Sequence, residues 1–281
     1  MKIGIVGLGL MGGSIAKSLN QNHFIIAYDV DRDAIDYALS QKIIQAGDTN
    51  LENFFHGTKV IYLCLYPQSI LQFIQSYQNQ MDPGTIVIEI SGVKTKIINA
   101  VTPFLNNNID MVFTHPIAGR EKVGVKYSKD SIFQNANYVI VPTDKNKAES
   151  LSLVENLARE MKFKNITQLT KEQHDDIISY TSQLTHVLSL ALVNSEDTNL
   201  DTKRFIGDSY RDLTRISMIN EPLWSELFLE NKEYLIEKIE RLEKSLSEYK
   251  SAINNNDIEK LKELMLEAKR KRMKIEGDDP L

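Results

Sequence analysis

Lys2-Ile3-Gly4-Ile5-Val6-Gly7-Leu8-Gly9-Leu10-Met11-Gly12-Gly13-Ser14 opens the chain as a short apolar strand, a glycine-rich turn and the start of a helical run. Gly7, Gly9 and Gly12 stand in G-x-G-x-x-G spacing. In such a turn the first glycine permits the sharp bend, the second lets the backbone approach a pyrophosphate, and the third lets helix and strand pack closely. The helix N-terminus supplies N–H groups and the positive end of its dipole. The spacing alone is common, but here the next strand, 24–28, ends at Asp29, about twenty residues on, where a carboxylate accepts hydrogen bonds from the adenosine ribose. NAD is the expected cofactor, with Gly7, Leu8, Gly9, Leu10, Met11, Gly12 and Asp29 as its contacts. Asp29 would repel the 2′-phosphate of NADP. Arg32 tempers that preference, because an arginine near this position could pair with such a phosphate; NADP stays the less favoured cofactor.

Further along, 60–65, 85–90, 111–114 and 138–141 also read as strands, and 11–20 and 94–105 as helices. Strands apolar on both faces and separated by helices imply a Rossmann-type doubly wound parallel α/β sheet covered on each side. This domain is expected to span 1–165. Eleven of the thirteen glycines and five of the seven prolines precede residue 143, and the remainder of the chain reads as helical. An apolar pattern fills 171–193, and Leu235, Ile239, Leu242, Leu246, Tyr249 and Ile253 recur at three- and four-residue steps. Asn254 to Asp257 supplies a stop and an N-cap for a last helix. Long amphipathic helices need a partner surface, so 166–281 is expected to be an all-helical substrate-binding and dimerisation domain, and the protein a homodimer.

A net charge of −5 supplies no cationic field for a polyphosphate backbone, so no nucleic-acid partner is expected. No stretch approaches the roughly 20 apolar residues of a membrane span, and the early glycines interrupt any secretion signal. The single cysteine, Cys64, sits in a strand and has no disulfide partner, which fits a reducing, cytoplasmic setting. No metal site is expected.

His115, in Thr114-His115-Pro116-Ile117-Ala118-Gly119-Arg120-Glu121, comes after a strand and so lies where open α/β sheets bind ligands. Oxidising an alcohol by hydride loss leaves a hydroxyl proton, and an imidazole is suited to accept it near neutral pH. The plainer reading is a histidine that only caps its strand.

Taken together, the opening Gly7-to-Ser14 segment, His115-Pro116-Ile117-Ala118-Gly119, Asp212-Leu213-Thr214-Arg215-Ile216-Ser217 and Trp224 resemble the prephenate and arogenate dehydrogenase family. The resemblance spans both expected domains. It implies NAD-dependent oxidative decarboxylation of prephenate to 4-hydroxyphenylpyruvate on the way to tyrosine, with arogenate as the alternative substrate. It also implies that His115 is catalytic and that Arg215 holds a substrate carboxylate. Arg211 either joins it or pairs with Asp208. A β-hydroxyacid dehydrogenase is a remoter reading, because no G-x-x-G-x-G-x-x-x-K string occurs.

His186, in Ser182-Gln183-Leu184-Thr185-His186, matches the second histidine of a family segment often reading SHLPH that lines the pocket; Gln183 replaces the first and would offer an amide instead. At Glu89-Ile90-Ser91-Gly92-Val93-Lys94 the family pattern D-x-G-S-x-K has serine and glycine exchanged, leaving Ser91 to compensate from the adjacent position. Lys94 anchors this loop or contacts an anion. His174, before Asp175, resembles a family pair but reads more plainly as local helix electrostatics. Arg120 adds positive charge or pairs with Glu121. The chain ends soon after Lys274, leaving no room for the regulatory ACT domain that some relatives carry.

Overall fold

The computed structural model describes residues 1–119, 122–199 and 201–277. Arg120 and Glu121 lie outside them. Eight strands form one sheet: β1 (Lys2–Val6), β2 (Phe24–Tyr28), β3 (Ala46–Asp48), β4 (Val60–Leu63), β5 (Thr85–Glu89), β6 (Ile109–Ile117), β7 (Asn137–Val141) and β8 (Asn165–Gln168). Their spatial order is β3-β2-β1-β4-β5-β6-β7-β8. Its first six members give the doubly wound order 3-2-1-4-5-6, whose switch point, where ligands bind, lies between β1 and β4. Helices α1 (Leu10–Leu19), α2 (Arg32–Ser40), α3 (Pro67–Tyr77), α4 (Thr95–Val101) and α5 (Ala148–Glu160) connect the strands.

The two-residue alternation of a strand decides which face each side chain covers. Ile3 and Ile5 of β1, Val60 and Tyr62 of β4, and Tyr138 and Ile140 of β7 pack into one core. Their neighbours Val6, Ile61, Leu63, Val139 and Val141 pack into the other. Both faces are therefore dry, which is why these strands read as continuous apolar runs.

The structure departs from the expected parallel sheet at one edge, where β7 and β8, parallel to each other, run opposite to the other six strands. β7 runs antiparallel to β6, pairing His115 with Val139. Among the described residues the connection holds two short 3₁₀ segments, Val125–Tyr127 and Asp130–Phe133, and antiparallel neighbours need no crossover helix. β3 and β8 escaped the sequence reading because each is a short edge strand that does not need two apolar faces. β8 also carries the sheet to Gln168, past the boundary drawn at 165.

Downstream lie α6 (Lys171–Ile178), α7 (Leu184–Asn194), α8 (Asp208–Thr214), α9 (Glu221–Glu230), α10 (Lys232–Asn254) and α11 (Ile258–Glu276). A π-helical stretch, Ser179–Gln183, joins α6 to α7, so the run expected at 171–193 is helical throughout but locally widened. The chain forms two compact units, 1–232 and 233–281. α6 and α9 are bonded to the nucleotide half: Asp175 accepts from the Lys94 amide at 2.9 Å, and Lys96 Nζ donates to the Leu229 carbonyl at 2.8 Å. In the second unit Asp257 caps α11 by accepting from the Lys260 amide at 2.9 Å, and left-handed Gly277 ends it. Among the described residues, no helix is long and apolar enough to cross a membrane.

Candidate active site

The turn after β1 has the geometry its glycines foretell. Gly7 has φ +95°, and a β-carbon there would stand 2.5 Å from the Cys64 carbonyl oxygen. At Gly12 it would stand 2.0 Å from the Gly7 oxygen, so no side chain fits. At Gly9, by contrast, an added β-carbon would meet nothing within 4 Å, which leaves room for a pyrophosphate against the backbone. No side chain caps α1, whose first N–H groups point the same way. The residues present thus fit a dinucleotide. Leu8 and Leu10 are buried, so they can offer a cofactor only backbone. The Leu8 amide already donates to Asp29 Oδ2 at 2.5 Å, tying the second strand's acid to the turn. Beside it, burial pushes the Cys64 thiol far up.

His115 lies two residues before the end of β6, just past the parallel β5–β6 pairing, which stops at Glu89 and Phe113. Its Nδ1 is 2.9 Å from His174 Nε2, and His174 Nδ1 is 2.8 Å from Asp175 Oδ1. His174 is completely buried. The capping box of α6, in which Thr170 Oγ1 and the Gln173 side chain each bond the other's backbone amide, fixes the first turn that carries this pair. Asp175 also accepts from the Lys94 amide at 2.9 Å and the Thr95 amide at 2.7 Å, so it caps α4 from another segment. The reading of His174 as local helix electrostatics is corrected: it stands behind the candidate catalytic imidazole.

Burial, followed by the neighbouring His174 and Lys94, holds His115 well below the ordinary imidazole range. It is neutral at pH 7, with one ring nitrogen bare. Burial opposes ionisation of Asp175, but bonds from His174 and Thr95 outweigh it and keep that carboxyl low.

The loop under His115 is held by a wholly buried ion pair. Lys94 Nζ donates to Glu89 Oε2 at 2.7 Å and to the Ser91 carbonyl at 2.6 Å. Glu89 Oε1 accepts from the Ser91 amide. Lys94 therefore anchors the loop and has no reach to a substrate anion. Ser91 is corrected as well: it is buried, and its hydroxyl donates to the Val93 carbonyl at 3.0 Å. The residue that faces the site is Gly92, where a β-carbon would stand 3.8 Å from His115 Nε2 and 3.3 Å from Leu227 Cδ2. The Ser91 hydroxyl is turned to the Val93 carbonyl, away from the position that Gly92 occupies beside His115.

Leu227 belongs to α9, and Trp224, three residues earlier on the same face, stacks on His186 with ring centroids 3.6 Å apart. His186 Nδ1 donates to the Ser182 carbonyl at 2.9 Å. One helix thus connects the surroundings of His115 with those of His186. Gln183 is not available as a substrate contact: it is buried, its Nε2 donates to the Leu227 carbonyl at 2.9 Å, and its Oε1 accepts from Asn231 at 2.8 Å. It braces α9 instead. Arg215 is exposed, on a single 3₁₀ turn (Arg215–Ser217) packed on α7, the helix of His186. Arg211 makes the 3.2 Å ion pair with Asp208 that its spacing allowed. Among the described residues, no cluster of His, Cys, Asp or Glu could hold a metal ion.

A phosphate-cradling turn after β1 and a neutral imidazole at the end of the parallel strands define an NAD-dependent dehydrogenase. The chain belongs to the prephenate dehydrogenase family: residues 15–167 match its nucleotide-binding domain and residues 170–267 its dimerization domain. It is 26% identical to a prephenate dehydrogenase of Bacillus subtilis over 92% of this chain and 71% of that protein. It is 23% identical to a cyclohexadienyl dehydrogenase of Zymomonas mobilis over 98% and 96%. Among solved structures it superposes on prephenate dehydrogenase from A. aeolicus, in complex with hydroxyphenyl propionate and NAD+, with TM-score 0.88 and 30% identity over 98% of both chains. Synechocystis arogenate dehydrogenase gives TM-score 0.81 and 25% identity over 98% of this chain and 100% of that one.

Proposed function

We propose that the protein is a prephenate dehydrogenase that uses His115 as proton acceptor. The observation that carries this is the neutral imidazole whose Nδ1 is committed to His174 and whose Nε2 faces the Gly92 gap. NAD would be held by the turn after β1 and would supply the acceptor for the hydride on the ring carbon that bears the hydroxyl. His115 Nε2 receives the hydroxyl proton as the ring carbonyl forms. The ring carboxylate then leaves as carbon dioxide, its bonding electrons aromatise the ring, and the proton returns from His115 to the phenolate oxygen. Prephenate and NAD+ thus give 4-hydroxyphenylpyruvate, carbon dioxide and NADH.

Arg215 is the substrate-carboxylate ligand in this reading, with Trp224 and His186 as the pocket wall beside it. A planar guanidinium makes two parallel charged hydrogen bonds to a carboxylate. The Arg215→Gln variant should raise KM for prephenate about tenfold or more with NAD binding intact, and an unchanged KM would remove Arg215 from the site. NADH formation with prephenate, arogenate and a hydroxyisobutyrate, each supplied with NAD+ and NADP+, tests the assignment. Arogenate alone reacting would move it to that amino acid, and silence with all three would refute the enzyme reading.

We also infer how Arg32 is kept from recruiting NADP. Arg32 Nη2 lies 2.5 Å from Asp48 Oδ1 and 2.9 Å from Thr49 Oγ1, at the end of the strand next to Asp29. The guanidinium is therefore already paired, and Asp48 adds a second negative charge where a 2′-phosphate would sit. In Asp48→Ala, the NADP-to-NAD ratio of kcat/KM should rise roughly threefold to tenfold, the scale of an exposed charge contact. A ratio unmoved by the change would refute this role.

Exposed apolar side chains on α10 and α11, among them Ile236, Leu246, Ile253, Ile258 and Met265, support a homodimer. A monomeric mass in solution would count against it.

A further inference from the structure

The chain of groups behind His115 has a direction. An ionised carboxylate only accepts hydrogen bonds, so across the 2.8 Å contact it is His174 Nδ1 that carries the hydrogen. His174 is buried, and burial outweighs the pull of Asp175, so the ring stays neutral and its Nε2 is bare. Across the next contact, at 2.9 Å, His115 Nδ1 must then be the donor. A neutral His115 so protonated has its lone pair on Nε2, the nitrogen 3.8 Å from where a Gly92 β-carbon would stand.

We propose that His174, backed by Asp175, is a positioning residue that fixes His115 in the tautomer with Nε2 bare toward the substrate. The proposal rests on the reading of His115 as proton acceptor. Asp175 holds the first imidazole as the carboxylate of a serine-protease triad holds its histidine, except that a second imidazole is interposed. When the substrate hydroxyl gives its proton to His115 Nε2, the Nδ1–H bond to His174 becomes charge-assisted and strengthens as the alcohol is oxidised. No proton need travel to Asp175. Because Asp175 also caps α4, its replacement would disturb two structures at once. Among the described residues, the His174 ring bonds only to its two relay partners, and it is the position to change.

The test is nitrogen NMR of the protein labelled at histidine, with the His115 signals assigned by their loss in His115→Asn. In the unsubstituted protein His115 should show a protonated Nδ1 and a bare Nε2; a protonated Nε2 would overturn the proposal whether or not His115 is catalytic. His174→Phe should shift that tautomer and lower kcat with prephenate about tenfold to a hundredfold. KM and the NAD dissociation constant should stay within about threefold. His174→Gln, whose side-chain oxygen can still accept from His115 Nδ1, should recover most of the rate. Equal rates for the Phe and Gln variants, or a loss confined to KM, would also overturn it. Where His174→Phe does not fold, the tautomer of the unsubstituted protein and the rate of His174→Gln decide. Undiminished turnover in His115→Asn refutes the proton-acceptor reading instead, and leaves the NMR result to report the relay alone.

Discussion

Replacing His115 with asparagine is expected to lower kcat by about a hundredfold to ten-thousandfold, the usual contribution of a positioned general base. Asparagine fills much of the same space and can still donate to His174, so the loop should keep its form. NAD binding, which depends on the turn after β1, should be unchanged by calorimetry or fluorescence. A turnover within a few-fold of the parent protein would remove His115 from the chemistry. The pH profile supplies a second reading of the same residue. Nε2 accepts only when bare, so rate is lost as pH falls through the His115 pKa, and burial, His174 and Lys94 place that pKa well below the ordinary 6.5. The rate should accordingly hold level from neutral pH down past 6.5, and an acid limb centred above 6.5 would contradict the environment described.

The second large effect is on stability. Lys94→Met strips the partner from Glu89 in a place where neither side chain meets water. Burial already lowers the Lys94 pKa against the pull of Glu89, which shows how little solvent compensation the pocket offers. An unpaired buried carboxylate costs about 3–5 kcal/mol, to be seen as a lower urea midpoint. Adding Glu89→Gln should recover at least half of that loss, because the amide oxygen still accepts from the Ser91 amide without a buried charge. A single variant within about 1 kcal/mol of the parent, or a double variant no better than the single, would show that the pair does not hold this loop.

Sequence and structure agree where the information is local. The β1 turn was legible because G-x-G-x-x-G constrains backbone over a few residues: Gly7 has positive φ, and Gly12 is forced by the Gly7 carbonyl in that same turn. The strand before His115 was legible too, but its end was not: β6 runs on to Ile117 and carries His115 within it, because β7 pairs with it there. Ser91, Gln183 and His174 were misread for one shared reason. Each is defined by a partner distant in sequence or by the direction of one loop residue. Gln183 spends its amide on Leu227 and Asn231, more than forty positions away. The pairing of Thr170 with Gln173 in a capping box, directly before His174 and Asp175, was the available hint that this pair opens a helix with its side chains aimed inward.

The nucleotide turn, the alternation of apolar strands and helices, and the charged amphipathic helices of the C-terminal part could all be read from the order of residues. These are properties of neighbouring residues, set by backbone sterics and by periods of two and 3.6. The reversal of β7 and β8, the pairing of Lys94 with Glu89, and the place of His174 and Asp175 behind His115 emerge only in the folded chain. Those outcomes arise from closing long stretches of chain around a dry interior, where every buried polar group must find a partner wherever the fold brings one.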